Sequence, residues 1–429
     1  MRWLLDAVYL VALVVMSPWL AWRAWRTKRY RQGLRDKLCG FRGEAPPGAV
    51  WFHAVSLGEM KVLGQLVPAF RQRHPGRPVV VSSTTDTGLE EARKLFGDLV
   101  VFPFPFDFSW AVERTLCKLE PALVVLCESE LWPNFVATAK HLGVPVAVVN
   151  GRMSPRSLGR YSKLTPLVRG LFARLDVVGV QSEEYAAAML ALGATPGCVR
   201  VTGNIKYDGA LTDPHNPRSQ ELRRLFDVRD GDVVWVAGSL QPAEEEVSLG
   251  VWEKAKAKYP SLRTFVVPRQ RERFDEVARR MEAKRIAFVR RSQMTHPARA
   301  DVVLLDTIGE LGALWALADV AFVGGSLDGQ RGGQSMIEPA AFGAAVTFGP
   351  HVWNFRETAR RLVECGGAFQ VNDAAELEAT TLRLLGDKAE RRAMGEQARR
   401  FVLAQQGATR RTLDLLDQAL TPPAADRAA

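Results

Sequence analysis

Short, Val-rich apolar runs alternate along most of the chain with segments in which apolar residues recur every three or four positions. That pattern predicts strands buried on both faces of parallel sheets, with helices between them. Strands are expected at 49–55, 78–83, 99–102, 122–127, 145–149 and 177–181, and helices at 59–73, 88–96 and 111–119. A polar stretch, TDPHNPRSQ at 212–220, carries two prolines and interrupts the series. Strands at 233–237, 263–267, 287–289, 302–305 and 320–323 then resume it. The expectation is two doubly wound α/β halves facing each other across a central cleft, with ligands bound beyond the carboxyl ends of the strands. The boundaries read as 1–44 for an apolar and basic leading segment, 45–210 for the first half and 211–230 for a linker. The second half, with C-terminal helices, takes 231–429.

The leading segment asks for its own explanation. Residues 7–22 are apolar apart from Ser17 and Pro18, and Arg23, Arg26, Lys28, Arg29, Arg31, Arg35, Lys37 and Arg42 follow, interleaved with Trp25 and Tyr30. A cleaved signal peptide carries its basic residues before the apolar run and a small-x-small site after it, and this segment has neither. Positive charge after the run places the remainder of the chain in the cytoplasm, with Trp and Tyr suited to the headgroup layer. A membrane anchor on an anionic surface is expected, as a span or as an interfacial helix, against the alternative of a core helix followed by a solvated basic one.

Composition narrows the chemistry. The net charge of +10 looks like a nucleic-acid signal, but residues 1–42 hold nine Lys+Arg and two Asp, leaving a net +3 for the other 387 residues. No nucleic-acid partner is expected. Five scattered cysteines without a C-x-x-C pair suit free thiols in a reducing compartment. The chain lacks G-x-x-x-x-G-K-[ST], lacks G-x-G-x-x-G after its first strand, and spaces its six histidines unlike metal ligands, so metal-independent chemistry with no cofactor is expected.

Three carboxylates sit at strand ends. Glu59 follows Ser56-Leu57-Gly58 after the first strand, where it can act in the cleft or complete a Ser56-x-x-Glu59 capping box. Glu128 and Glu130 lie in C-E-S-E-L-W-P-N; two acids at i, i+2 on a strand end share a face, and their repulsion can raise one pKa into the range of a general base. The alternative is a solvated loop with one acid bound to an Arg. In the second half, Gly324-Gly325-Ser326 and the stretch GQRGGQSMIEPAAFG suit a phosphate held at a helix N-terminus. There Ser335-x-x-Glu338 again fits a capping box. Pro268-Arg269 adds a cation at the same rim, and Thr307-Ile308-Gly309-Glu310 a further loop-to-helix start.

With these residues in view, FHAVSLGEM (52–60), TTDTG (84–88), ESELWPNF (128–135), NGRMSPRS (150–157), TGNIKYD (202–208), FVGGS, GGQSMIEPAAFG (332–343) and GPHVWNF (349–355) resemble, in order, the 3-deoxy-D-manno-octulosonic acid (Kdo) transferases. The resemblance spans residues 45–360. It implies a GT-B glycosyltransferase with two Rossmann-like domains and an N-terminal membrane-anchoring helix, moving Kdo from CMP-Kdo to the lipid A precursor at the cytoplasmic face of the inner membrane with inversion. It also implies Glu59 as general base and Glu128 and Glu130 as its companion acids. Pro268, Arg269, Ile308, Gly309, Glu310, Gly325, Ser326, Gly333, Gln334, Ser335, Met336 and Glu338 would bind the donor. Gln334 and Ser335 depart from the family's usual His and Asn. A carboxylated sugar and a phosphorylated acceptor call for cations, for which Arg152, Arg156, Lys206 and Arg331 are candidates, with Ser56 and Gly58 at the acceptor. A UDP-sugar enzyme of the same architecture, or a membrane-bound nucleotide-binding protein without catalysis, is the alternative.

Overall fold

A computed structural model describes residues 2–27, 33–128, 130–153, 155–162 and 165–421. The first sheet contains β1 (Val50–Ala54), β2 (Val79–Ser83), β3 (Val100–Pro103), β4 (Leu123–Cys127), β5 (Val146–Gly151), β6 (Val177–Val180) and β7 (Val199–Val201), all parallel, in the order β3-β2-β1-β4-β5-β6-β7. The second contains β8 (Val233–Leu240), β9 (Leu262–Pro268), β10 (Phe288–Arg290), β11 (Val302–Leu304), β12 (Val320–Val323), β13 (Ala345–Phe348) and β14 (Ala368–Gln370), again parallel, in the order β10-β11-β9-β8-β12-β13-β14. Eleven of the fourteen strands fall where the apolar runs put them. β7, β13 and β14 were not expected from the sequence.

Period-two alternation explains why the strands read as unbroken apolar runs. Trp51, Val124, Leu126 and Val148 feed the core on one face of the first sheet, while Val50, Phe52, Val125 and Val149 feed the other. With both faces covered, most strand positions are apolar. Each fully buried side chain of this size contributes ~2 kcal/mol of transfer free energy.

The chain divides into two compact units, one of residues 1–209 with 406–429 and one of 210–405. This corrects the expected assignment of the whole C-terminus to the second half. The helix Ala408–Leu420 belongs to the first unit because Leu413, Leu415 and Leu416 enter the core around Phe52 and Val177. Asp208 caps it, accepting from the N–H groups of Gly407 (2.7 Å), Ala408 and Thr409; an anion at a helix N-terminus is favourable. Arg73 and His74 bind its Asp414 and Asp417. Nor is the expected linker irregular throughout: Pro217–Leu225 is a helix, with Pro217 in its first turn and Asn216 capping Ser219 N at 3.0 Å.

The N-terminal helix runs Arg2–Thr27 and rests on the first unit along one stripe. Arg2 pairs with Glu113 at 2.9 Å. Asp6, 3% exposed, accepts from Ser109 N (2.9 Å), Ser109 Oγ and Asn134 Nδ2 (3.1 Å). Tyr9 donates to Asp107 at 3.1 Å, and Asp107 also accepts from the N–H groups of Asn134 and Phe135. Two carboxylates thus fasten this helix to the N-termini of Ser109–Leu119 and Pro133–His141.

Burial pushes Asp107 up to about 6 despite these donors. The folded protein therefore holds this proton more tightly than the unfolded chain does. Asp107's contribution is full below about pH 4 and is lost as the pH rises through about 6. Asp107→Asn should remove this dependence: the difference in melting temperature between wild type and variant should shrink steadily from pH 4 to pH 6.5. A difference that stays flat over that window would refute the assignment.

Candidate active site

In the first sheet the strand order reverses between β1 and β4, and both strands deliver acids at their carboxyl ends. β1 leads through Ser56 into the helix Leu57–Arg73. Ser56, in extended conformation, accepts from Glu59 N at 3.3 Å; its hydroxyl donates to Glu59 Oε1 at 2.7 Å, and Val55 N donates to Oε2 at 2.9 Å. Ser56 caps the helix, but Glu59 takes the N–H of Val55 and not that of the N-cap residue, so the expected capping box is only half formed; these bonds fix the carboxylate instead of excluding it from chemistry. Burial raises the Glu59 pKa; the two hydrogen bonds oppose this, and the charges of Glu128 and Glu130 add to it. A helix cap facing water would not be raised in this way. Next to it, Gly58 faces nearly open space, with Ser56 Oγ the nearest atom to a Cβ built there, at 3.8 Å.

Glu128 departs from the extended geometry expected of two acids sharing a strand face. Its φ is +63°, its N–H donates to Val149 O at 2.9 Å, and its buried carboxylate takes Arg152 Nε at 2.7 Å and Lys206 Nζ at 3.8 Å. Left-handed backbone on a residue with a Cβ costs ~1 kcal/mol or more. Glu130 stands apart from that pairing, and its pKa is raised by burial first and by the Glu128 charge second. So the acids divide: Glu128 is neutralised by two cations, whereas Glu59 and Glu130 are the two whose protons are held more tightly.

Asn150, also left-handed at +54°, is the penultimate residue of β5 and accepts from Ile205 N at 3.0 Å through its side chain and from Gln181 Nε2 at 2.9 Å through its carbonyl. It thereby positions the turn that carries Lys206. The side chain of Arg156, and residues 129 and 154, lie outside the described residues.

The second sheet reverses between β8 and β12, and here the expected phosphate loop is already filled. The carboxylate of Glu244, fully buried, accepts from the N–H groups of Gly325 (2.7 Å), Ser326 (2.9 Å) and Leu327 (2.9 Å), and from Gln241 N (2.8 Å). Backbone donors of Gly325 and Ser326 are thus unavailable to a ligand phosphate. The Ser326 hydroxyl is likewise internal, donating to Val323 O and accepting from Gly349 N. Gly324 admits no side chain, since a Cβ would lie 2.6 Å from Glu244 Oε2 and 2.8 Å from Ser239 O.

The second expected capping box also fails: Ser335 Oγ accepts from Ile337 N at 3.4 Å, two residues on, and the helix Ile337–Phe342 is a single short segment. Gln334 and Ser335 are half-buried, Gly333 (φ +81°) donates to Gly325 O at 2.7 Å, and Met336 is fully buried. Glu310 is drawn inward, where its carboxylate binds Arg218, Arg291 and the Thr307 hydroxyl, while Ile308 beside it is exposed and Gly309 has φ +90°. Its ion pairs place Glu310 in the framework of the loop. Arg269, following buried Pro268 at the end of β9, is exposed, and its guanidinium makes no ion pair among the described residues. Arg331 is exposed; its carbonyl accepts from Asn354 Nδ2 at 2.7 Å, tying GPHVWNF to the glycine-rich stretch.

Among the described residues, six other than glycine have positive φ: Glu120, Asp227 and Arg285 close helices, and Glu128, Asn150 and Ser239 sit at the carboxyl ends of β4, β5 and β8. Among the described residues, positive φ outside helix ends thus falls at the carboxyl ends of parallel strands, two of them, β4 and β8, at the points where the strand order reverses. Sequence reading passed over Glu244 and Ser239, and quoted Asn150 only as the first residue of NGRMSPRS, with no role. Q-P-A-E has the form of a capped helix start, but nothing local in it shows that its acid reaches a loop eighty residues on.

A family model described as 3-Deoxy-D-manno-octulosonic-acid transferase (kdotransferase) matches residues 25–209. The 3-deoxy-D-manno-octulosonic acid transferase of Bordetella pertussis is 38% identical over 391 residues, 88% of this chain and 89% of that one. Its namesake in Haemophilus influenzae is 34% identical over 394 residues, 90% and 91% of the two chains. The chain belongs to this family. As a Kdo transferase it is a glycosyltransferase, and ESELWPNF and SLGEM lie inside the matched region. Among solved structures, UDP-GlcNAc 2-epimerase from Neisseria meningitidis aligns with a TM-score of 0.59 at 12% identity, over 86% of this chain and 100% of that one. A glycosyltransferase from Rickettsia africae aligns at 0.55 and 12%, over 88% and 100%. These likenesses establish the GT-B type of fold and nothing of the substrate.

Proposed function

We propose that this Kdo transferase takes Kdo from CMP-Kdo and joins it, with inversion, to a lipid A precursor at the cytoplasmic face of the inner membrane. The observation that carries the reading is the junction of β1 and β4, where Glu59 and Glu130 hold raised pKa values beside Glu128 and its two cations. An acceptor hydroxyl attacks the anomeric carbon of Kdo as its proton passes to Glu59. The bond from that carbon to the phosphate oxygen breaks, and CMP leaves with the electron pair. Arg152 and Lys206, presented by Glu128, suit a phosphate or carboxylate on the substrates. Arg269 and the glycine-rich stretch 329–335 suit the cytidylate, with leaving-group charge met by a cation and backbone N–H groups.

Incubation with CMP-Kdo and a tetraacylated lipid A precursor, followed by mass measurement of the products, tests the reading; transfer from a UDP-sugar instead would reject it. Arg269→Ala should weaken CMP binding about 10-fold or more, as befits loss of a charge-assisted hydrogen bond of ~1.5–3 kcal/mol. Calorimetry showing unchanged affinity would remove Arg269 from the donor site.

A further inference from the structure

We infer that the opening turns of the N-terminal helix serve the reaction itself: Asp6 and Tyr9, acting through Asn134 and Asp107, are positioning residues that hold the loop bearing Glu130 at the end of β4. The inference rests on the site reading given above and adds residues that act through it. All of the groups concerned lie in the first unit.

Glu130, Leu131 and Trp132 bridge two points. On one side Glu128 is fixed, its N–H donating to Val149 O at 2.9 Å. On the other side the helix Pro133–His141 begins, and it has no cap of its own: Trp132 precedes it in extended conformation and makes no side-chain hydrogen bond to its first turn. Pro133 has no N–H, and Val136 N already bonds back along the helix to Trp132 O. Asn134 N and Phe135 N are left over, and Asp107 takes both, at 3.0 and 2.8 Å. One carboxylate from another element thus satisfies the first turn.

The N-terminal helix completes this arrangement. Tyr9 donates to Asp107 at 3.1 Å. The helix Ser109–Leu119 also lacks its own cap, because Phe108 offers no side-chain acceptor; Asp6 supplies one to Ser109 N at 2.9 Å and to Ser109 Oγ. The side chain of Asn134 joins the two caps, its Nδ2 donating to Asp6 Oδ1 at 3.1 Å and to Asp107 O at 2.7 Å. Both amide hydrogens are then spent inside the protein. Asp6, Asp107, Ser109 and Asn134 are all buried, where a lost partner is costly enough to fix the geometry. Asn134 of ESELWPNF therefore faces the N-terminal helix and not a substrate. Phe135 beside it packs on Trp51 of β1, ring centroids 5.3 Å apart, so the same helix start touches the strand that runs to Glu59. Without Asp6 and Tyr9 the segment bearing Glu130 is held firmly only at Glu128, and about 1 Å of misplacement is enough to slow a reaction up to about 100-fold.

The full chain, dissolved in detergent so that attachment to a bilayer does not enter, is assayed with CMP-Kdo and a tetraacylated lipid A precursor. Asp6→Asn turns an amide toward three donating groups; it should lower kcat about 10-fold or more and leave the KM for CMP-Kdo within about two-fold. Tyr9→Phe removes one donor and keeps its ring beside Phe108; it should lower kcat about three-fold with a small fall in melting temperature. Combined with Glu130→Gln, neither change should cost anything further, because all act through one loop, whereas independent losses multiply. Should Asp6→Asn fail to fold, Tyr9→Phe with Glu130→Gln carries the same comparison. A full product of the losses in the double variant, or a wild-type kcat in folded Asp6→Asn or in Tyr9→Phe, overturns the inference. Glu130→Gln transferring at the wild-type rate would instead reject the site reading on which it rests.

Discussion

Glu59→Gln should lower the rate of Kdo transfer about 1,000-fold while leaving CMP affinity within a factor of two, the loss expected when a positioned general base is removed. The substitution is informative because Glu59 has two roles that can be separated. Its carboxylate accepts from Ser56 Oγ and Val55 N. Gln keeps one acceptor oxygen, so the cap is weakened by only ~1 kcal/mol, seen as a small fall in melting temperature. Proton acceptance is lost altogether. Glu59→Ala removes both functions and should fall further in stability with no further fall in rate. The raised pKa of Glu59 also predicts that the acidic limb of kcat/KM in the wild type lies above the ordinary carboxylate range. The rate is full where the carboxylate is ionised and declines as the pH drops through its raised value. Single-turnover measurements at saturating donor decide the matter. A Glu59→Gln enzyme within three-fold of the wild type would reduce the residue to its cap.

Glu130 is the natural control. It shares the raised pKa, yet lies on the loop after β4 and not in the helix start beyond β1. Loss of activity at both positions, with only Glu59→Gln abolishing the acidic limb, would assign proton transfer to Glu59.

Local pattern and tertiary consequence divide the legible from the illegible here. The long central strands were legible because burial on both faces makes most positions apolar, so Leu123–Cys127 reads as a strand without help. Val199–Val201 and Ala368–Gln370 are three-residue edge strands whose pairing depends on a neighbour already in place. The helix Ala408–Leu420 has an ordinary amphipathic sequence, and nothing in it says that its apolar face meets Phe52 and not the sheet nearer in sequence. Glu59 and Glu130 were visible as acids at strand ends. What they lacked in sequence was Glu128's left-handed backbone, which separates it from Glu130 and gives it to Arg152 and Lys206. The glycines at 324 and 325 read as a ligand cradle, but Gly324 N donates to Gly238 O and Gly325 N to Glu244, a residue on another helix.

Glu244→Ala should therefore be the most destabilising single change in the second unit. Removing that carboxylate strands four N–H donors, those of Gln241, Gly325, Ser326 and Leu327. An unsatisfied buried donor costs ~1–3 kcal/mol; with partial relaxation and water entry, the whole comes to ~4 kcal/mol, in the range of the severe point mutations. Because Gly325 O in turn holds Gly333 N at 2.7 Å, the disturbance passes to the glycine-rich stretch assigned to the donor. CMP binding should then fall 100-fold or more, although Glu244 touches no ligand. Glu244→Gln, which keeps one oxygen and turns an amide toward donors, should fall between the two. Arg269→Ala, by contrast, should lose affinity at unchanged stability. Urea unfolding with calorimetry on the same samples separates these cases. A Glu244→Ala protein with wild-type midpoint and wild-type CMP affinity would mean that the loop after β12 stands without its buried anion, and that the space it fills is open to phosphate after all.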